Sequence, residues 1–189
     1  CGCIHVRSVL QCRGRVGECH ADVLSGCDVG LIEALSELFH GRLQLASTDP
    51  AICAVDVFEQ PVELMVWQDG EPLRRFTGVV SEFVRGDSGH RRTRYELVIQ
   101  SPLWRLGLMH NSRIFQKQRP DAIARTRLEG RGSVDSVFGL KREPAEREYC
   151  VQHRESDLAF LERLAAEEGW QYRYQHGAVD GSASAGLIV

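Results

Sequence analysis

A β-rich α+β fold is what this sequence predicts, and three observations predict it. Between residues 42 and 100, short runs alternate apolar with polar residues and are separated by turn-forming clusters. Across residues 149–174 a strand, a helix and a second strand follow one another, with helix signals at both ends. The composition, 43% hydrophobic and 26% charged, is that of an ordinary globular chain. No apolar run approaches the roughly 20 residues that cross a bilayer, and no charged-then-apolar leader is visible.

Residues 1–30 differ from everything after them. They hold five of the seven cysteines (Cys1, Cys3, Cys12, Cys19 and Cys27) among scattered glycines, with no sustained helical or strand period. Ile4, Val6, Val9 and Leu10 could form one short strand. Otherwise the segment is expected to be irregular. Beginning at Cys1 rather than Met suggests a fragment, a processed chain or a translation from an unusual start.

From Leu31 the pattern becomes regular. Leu43 and Leu45 alternate with Arg42 and Gln44, and Thr48, Asp49 and Pro50 end that strand with turn chemistry. Val62, Leu64 and Val66 mark a second strand, closed by the turn Gln68-Asp69-Gly70. A third strand is predicted over residues 75–84, with Gly78 as a bulge or bend. Residues 86–89 turn into a fourth, where Tyr95, Leu97 and Ile99 share a face. Such a meander often closes into a small antiparallel barrel, which removes its edges.

Ser101 and Pro102 then open a short helical turn, with Pro at the first helical position, that breaks at Gly107. A helix over 120–128 has a thin apolar face, Ile123 and Leu128, and stops at Gly130. A short strand follows at 137–140. Tyr149, Val151 and His153 alternate with Cys150 and Gln152 in the next strand. Ser156 is placed as the N-cap of a helix, and Asp157 sets a negative charge on its first turn, where the macrodipole favours one. Leu158, Phe160, Leu161, Leu164 and Ala165 fall in one arc, with Glu162, Arg163 and Glu167 outside it. Glu168 lies inside the arc on the last turn, where it escapes to solvent as the helix ends. Gly169 supplies the left-handed stop. Trp170, Tyr172 and Tyr174 alternate with Gln171 and Arg173 as a strand with one aromatic face. The tail, 178–189, is rich in Gly, Ala and Ser and is expected to be loosely held.

Chemistry is scarce. Cys1, Cys3, Cys12, Cys19, His20 and Cys27 could suggest zinc, but none of their spacings is the C-x₂₋₄-C of structural sites. Glu167 and Glu168 point about 100° apart on a helix and do not converge. Cys150 and His153 fall on opposite strand faces, and no G-x-S-x-G elbow or phosphate-cradling glycine loop is present. Arg91, Arg92 and Arg94 read as a solvated strand edge beside a hairpin turn. The aromatic face at Trp170, Tyr172 and Tyr174 could be a carbohydrate or peptide platform, but a half-buried sheet face under the helix accounts for it. No catalytic, cofactor-binding or metal residue is therefore assigned, and no cofactor, nucleic acid or small-molecule substrate is expected. The net charge of -3 gives no global pull towards nucleic acid.

Three segments, in order, carry a resemblance: ALSELF with LQLASTDP between residues 34 and 50, SPLWRLGLMHNSRIFQKQ from Ser101, and YCVQHRESDLAFLERLAAEEGWQYRY from Tyr149. Together they resemble the VgrG (Vgr) family, the spike proteins of type VI secretion systems, over residues 31–177. The resemblance implies a structural, non-enzymatic part similar to the baseplate hub of contractile phage tails. It implies a first barrel over 31–100, a helix-containing section over 101–177 leading to a second barrel, and unmatched ends at 1–30 and 178–189. It also implies a homotrimer that docks on a hexameric tube protein, with a tip protein and effectors as partners. Assembly would be cytoplasmic and export would be by the secretion system itself. Two alternatives stand beside this reading: a truncated or frame-altered product without a working role, and a zinc-binding protein built on the cysteine-rich start.

Overall fold

The computed structural model describes residues 2–5, 10–16, 25–68, 71–129, 135–177 and 186–189. Its chain divides into two compact units: Cys1–Ala34, Phe39–Ser101 and His176–Ser184 in one, and Leu35–Leu38, Pro102–Gln175 and Ala185–Val189 in the other.

The first unit is built on seven strands: β1 (Gly2–His5), β2 (Leu10–Val16), β3 (Ser25–Glu33), β4 (His40–Ser47), β5 (Pro61–Gln68), β6 (Glu71–Ser88) and β7 (Thr93–Gln100). They form one antiparallel sheet in the order β1-β3-β4-β7-β6-β5-β2, curled into a half-barrel. A single helical turn, α1 (Ala54–Val57), connects β4 to β5 and buries Val57. The predicted alternation is what the sheet uses. In β4 the burial of Leu43 and Leu45 alternates with exposed Arg42 and Gln44, and in β5 Val62, Leu64 and Val66 are all buried. Tyr95, Leu97 and Ile99 of β7 lie almost wholly inside. The Tyr95 hydroxyl donates to the Asp49 carbonyl (2.9 Å), and Asp49 caps its own turn by accepting from the Ala51 amide. The turn expected at 69–70 lies outside the described residues.

Two expectations need correction here. Residues 1–30 are not irregular throughout: β1 pairs with β3, β2 with β5, and β3 with β4. The period was present but obscured. Leu10, Cys12, Gly14 and Val16 alternate with Gln11, Arg13 and Arg15, and Val29 and Leu31 alternate across the boundary drawn at residue 30. Both Val29 and Leu31 are buried. Nor is Gly78 a bulge. It stands in regular register opposite Val62, and the register slips instead between Val80 and Glu82.

Gly78 is needed for close approach. A Cβ there would sit 2.6 Å from the Gln100 carbonyl oxygen and 2.8 Å from the Phe39 ring. Gly78→Ala is therefore expected to cost about 1–3 kcal/mol, the usual range for overpacking, in urea denaturation. A loss under about 0.5 kcal/mol would mean that β6 can move off its neighbours freely.

The second unit opens with a 3₁₀ turn, Pro102–Gly107, that buries Leu103 and Leu106. It continues with β8 (His110–Gln118), α2 (Pro120–Glu129), β9 (Asp135–Val137), β10 (Arg147–Ser156), α3 (Asp157–Glu168), β11 (Arg173–Gln175) and β12 (Gly186–Ile188). β8 and β10 form a two-stranded antiparallel ladder; β11, β12 and β9 form a small three-stranded sheet. Helix α3 begins and ends as its sequence dictates. Ser156 accepts from the Ala159 amide (3.1 Å), and Gly169 closes it at φ 69°. Phe160 and Leu164 are fully buried, Ala165 nearly so, while Leu158 and Leu161 are only half-buried.

Three further differences concern this unit. β8 was not foreseen. The aromatic strand is shorter than expected, starting at Arg173, with Trp170 and Tyr172 lying before it. The end of the tail is held rather than loose: β12 pairs antiparallel with β11 and parallel with β9, and Leu187 joins a buried cluster with Leu103, Leu106, Leu128, Ala165 and Tyr172. An apolar side chain between two strands finds a place in a core whatever the polarity of the residues before it.

Candidate functional site

The junction of β10 and α3 is the most constrained polar region of the second unit. The register of β10 slips between Gln152 and Glu155, and Arg154 inside that bulge takes a left-handed backbone (φ 51°). The bulge turns the chain so that Asp157 enters the protein at the start of α3. Its Oδ1 accepts from Gln152 Nε2 (2.8 Å), Arg113 Nη1 (3.0 Å) and Asn111 Nδ2 (3.1 Å). Gln152 is fully buried and Asp157 nearly so. Burial pushes the Asp157 carboxyl up, but the hydrogen bonds from Gln152 and Asn111 and the charge of Arg113 outweigh it and hold the group below the usual range.

A second network ties β10 to the outer side of α3. Arg147 reaches both Glu167 and Glu168, and Arg163 reaches Glu155, Glu167 (2.7 Å) and the Val151 carbonyl (2.8 Å). Glu168 thus does not simply escape to solvent; Arg147 collects it. Hydrogen bonding to Arg147 is the chief reason the Glu167 carboxyl is held down, and Arg163 does the same for Glu155.

In the first unit a comparable clasp forms around His176. The Thr77 amide donates to His176 Nδ1 (3.0 Å) and Glu33 lies 3.0 Å from Nε2. The Thr77 carbonyl also lies 3.2 Å from Nδ1, so that nitrogen faces both backbone groups of Thr77 while Nε2 faces Glu33. The hydrogen bond to His176 is the main cause holding the Glu33 carboxyl low; burial opposes it and the Arg74 guanidinium assists. Phe39 and Phe76 meet the imidazole edge-on at 4.5 and 5.0 Å. Sequence reasoning did not single out His176, because its partners lie 99 and 143 residues away.

The residues weighed from the sequence for catalysis are buried, set apart, at the surface or taken up by other partners. Cys150 is buried and burial pushes its thiol up, against Arg147 and Arg163, which lower it; such a thiol is a poor nucleophile. His153 is exposed on the opposite face. Glu167 and Glu168 are occupied by arginine. Trp170 and Tyr172 pack in the apolar cluster, and the Tyr172 hydroxyl donates to Glu162 (3.0 Å). Burial and that carboxylate push the Tyr172 hydroxyl well up. The Arg91, Arg92 and Arg94 run is at the surface, at the tip of the β6–β7 hairpin. Among the described residues no group of three or more His, Cys, Asp or Glu could hold a metal. Most of the cysteine-rich start lies outside the described residues or is described by backbone alone.

What the second unit does present is an apolar surface. On the β8–β10 ladder Val151 stands directly opposite Ile114, beside Tyr149, and they are 45%, 65% and 59% exposed. Exposed β-branched and aromatic side chains grouped on one ladder face are the mark of an interaction surface.

Comparison with known proteins identifies the lineage. A model of the phage tail baseplate hub (GPD) family matches residues 32–183. The chain belongs to that family. The resemblance to VgrG spike proteins also holds over most of its length. It is 44% identical over 140 residues to the actin cross-linking toxin VgrG1 of Vibrio cholerae, covering 74% of this chain and 13% of that protein. It is 43% identical over 145 residues to the type VI secretion system spike protein VgrG2b of Pseudomonas aeruginosa, covering 77% of this chain and 14% of that protein. The chain therefore spans a small fraction of the curated relatives it matches. Among solved structures it is similar to the E. coli c3393 protein, a type VI secretion component likened to the T4 tail proteins gp27 and gp5. The TM-score is 0.77 at 24% identity, covering 99% of this chain and 47% of that one. A chain of a Francisella PdpA–VgrG complex shares the fold at a TM-score of 0.62 and 10% identity, covering 95% of this chain and 27% of that one.

Among the described residues no helix is long and apolar enough to cross a membrane.

Proposed function

We propose that this chain is the hub portion of a type VI secretion spike: a structural part that assembles and docks, not an enzyme. The observation that carries this is the family match over residues 32–183, together with 43–44% identity to VgrG proteins. In this reading residues 31–100, with the strands before them, form the first barrel of a hub, and 101–177 lead towards a second. The chain works as a homotrimer on a hexameric tube protein, with a tip protein and effectors as further partners. It is assembled in the cytoplasm and exported by the secretion system. The toxin activity in the name of VgrG1 belongs to a protein of which the matched region is 13%, and nothing ties it to these residues. Paired with Ile114, the Tyr149–Val151 face supplies an apolar contact of the kind a permanent assembly needs.

The alternative of a frame-altered product is not favoured. Strands β1 and β2 lie before the family match, yet they pair with matched strands or with β3 in the same sheet.

A chimeric spike tests the proposal. Residues 32–177 replace the matching segment of VgrG2b in a strain lacking that protein, and tube protein is measured in the culture supernatant. Export is expected to be restored to within a few-fold of the intact spike. A chimera present at normal levels in cells but releasing no tube protein would refute the hub assignment. Replacing both Ile114 and Val151 with Glu is expected to abolish export while leaving the purified 189-residue chain folded.

A further inference from the structure

The hairpin of β6 and β7 outruns its neighbour. β5 pairs with β6 only from Gln68↔Glu71 to Pro61↔Val79, and the last bonds on that side join Val80 to Glu59 and Gln60. Beyond them β6 continues to Ser88 with β7 as its one ladder neighbour among the described residues. Between two slips of register, at Val80/Glu82 and Arg85/Ser88, four residues run in regular pairing: Glu82, Phe83, Val84 and Arg85 opposite Val98, Leu97, Glu96 and Tyr95. Among the described residues that stretch is an open strand edge, offering amide donors and carbonyl acceptors in alternation.

The charge around the edge is predominantly positive, with Glu82 at its start the one carboxylate on the paired stretch itself. Residues 85–94 hold four arginines against one carboxylate, Asp87, in a chain whose net charge is -3. Arg85 pairs across to Tyr95 on one face, while Arg94 lies beside Gly86 on the other, so cations flank the edge on both sides. Seven other arginines make ion pairs, whereas Arg85, Arg91 and Arg94 have none among the described residues. Glu96, the nearest β7 carboxylate, is held by Arg42 (3.1 Å). Val84, 53% exposed, adds an apolar contact beside them.

We infer that this edge of β6 receives a short, extended, acidic segment of a partner protein as an added strand. Backbone bonds to residues 82–85 hold the strand, and Arg85, Arg91 and Arg94 take its carboxylates. A nucleic acid fits less well. Its phosphates accept hydrogen bonds but cannot donate to the open carbonyls, and four cations at a hairpin tip give only a short track. The inference concerns this hairpin by itself and stands or falls independently of the spike assignment.

The test uses the full 189-residue chain and a blocked, fluorescent eight-residue peptide alternating glutamate with valine. Saturable binding by anisotropy is expected, at least tenfold tighter than for the same peptide with lysine in place of glutamate. N-methylation of alternate peptide amides should weaken it by a similar factor, and amide deuterium uptake at 82–85 should slow when the peptide is bound. R85E/R94E, both at the surface, is expected to lose at least tenfold while R85K/R94K keeps most of the affinity, with unchanged circular dichroism. Equal binding of the acidic and basic peptides, or binding without protection at 82–85, would overturn the inference. So would tighter binding of a 20-nucleotide thymidine oligomer. Absence of saturable binding would overturn it as well, leaving the arginines to keep the edge from pairing.

Discussion

Phe160→Ala is expected to remove about 3–5 kcal/mol from the stability of the second unit, the usual cost of truncating a buried phenylalanine. The ring has no exposed surface, stacks on Phe115 at 5.6 Å, and packs with Ile123, Ala124, Cys150 and Leu164. It is the point where α3 meets α2, β8 and β10, so the cavity left behind has walls from four elements and little means of collapse. Leu164→Ala should cost about 2–5 kcal/mol for the same reason, and Leu161→Ala less, because Leu161 is half-exposed. Glu162 is outside the apolar arc, yet it accepts from the buried Tyr172 hydroxyl, so Glu162→Ala should cost about 1 kcal/mol rather than nothing. Urea denaturation monitored by Trp170 fluorescence orders the four. Phe160→Ala and Glu162→Ala costing the same would place the packing anchor elsewhere.

How far the sequence could be read follows from the range of each interaction. Helix α3 was legible to the residue, since Ser156, Gly169 and the arc of Phe160, Leu164 and Ala165 act within a few turns. Strands β4, β5 and β7 were legible because one face is buried and the other wet, which writes a period of two into the sequence. β8 was not. Its apolar residues, Ile114 and Phe115, are adjacent, so the alternation is carried by Ser112, Arg113 and Gln116, and its partner β10 lies some thirty residues on. β12 was hidden for another reason: three residues are too few to show a period, and its place is set by β9 and β11. Gly78 was singled out rightly but for the wrong reason, because a close backbone contact leaves the same mark in a sequence as a bulge. The clasp of Glu33, Thr77 and His176 leaves no local mark at all.

The largest effect of pH should come from Asp157. The sequence placed it as a favourable charge on the first turn of α3; the structure gives it three side-chain donors, two of them 44 and 46 residues away. Removing the carboxylate with Asp157→Ala takes the shared acceptor away from Arg113, Asn111 and the buried amide of Gln152, and should cost about 3–5 kcal/mol at pH 7. Asp157→Asn keeps an oxygen to accept from them but gives up the charge facing Arg113, and should cost about 1–2 kcal/mol. The carboxyl is held below its ordinary value in the folded chain, so its contribution is fully present above the unfolded value, about 3.9. It is lost as the pH falls through the lower folded value, where the wild-type group is protonated too. The stability difference between wild type and Asp157→Asn should therefore be constant from pH 7 to about 5 and shrink steadily as the pH falls below about 4. Taking the difference cancels the titration of Glu33, Glu155 and Glu167, whose carboxyls are also held low. A difference that stayed the same from pH 7 to 3 would show that Asp157 acts through the shape of its contacts and not through its charge.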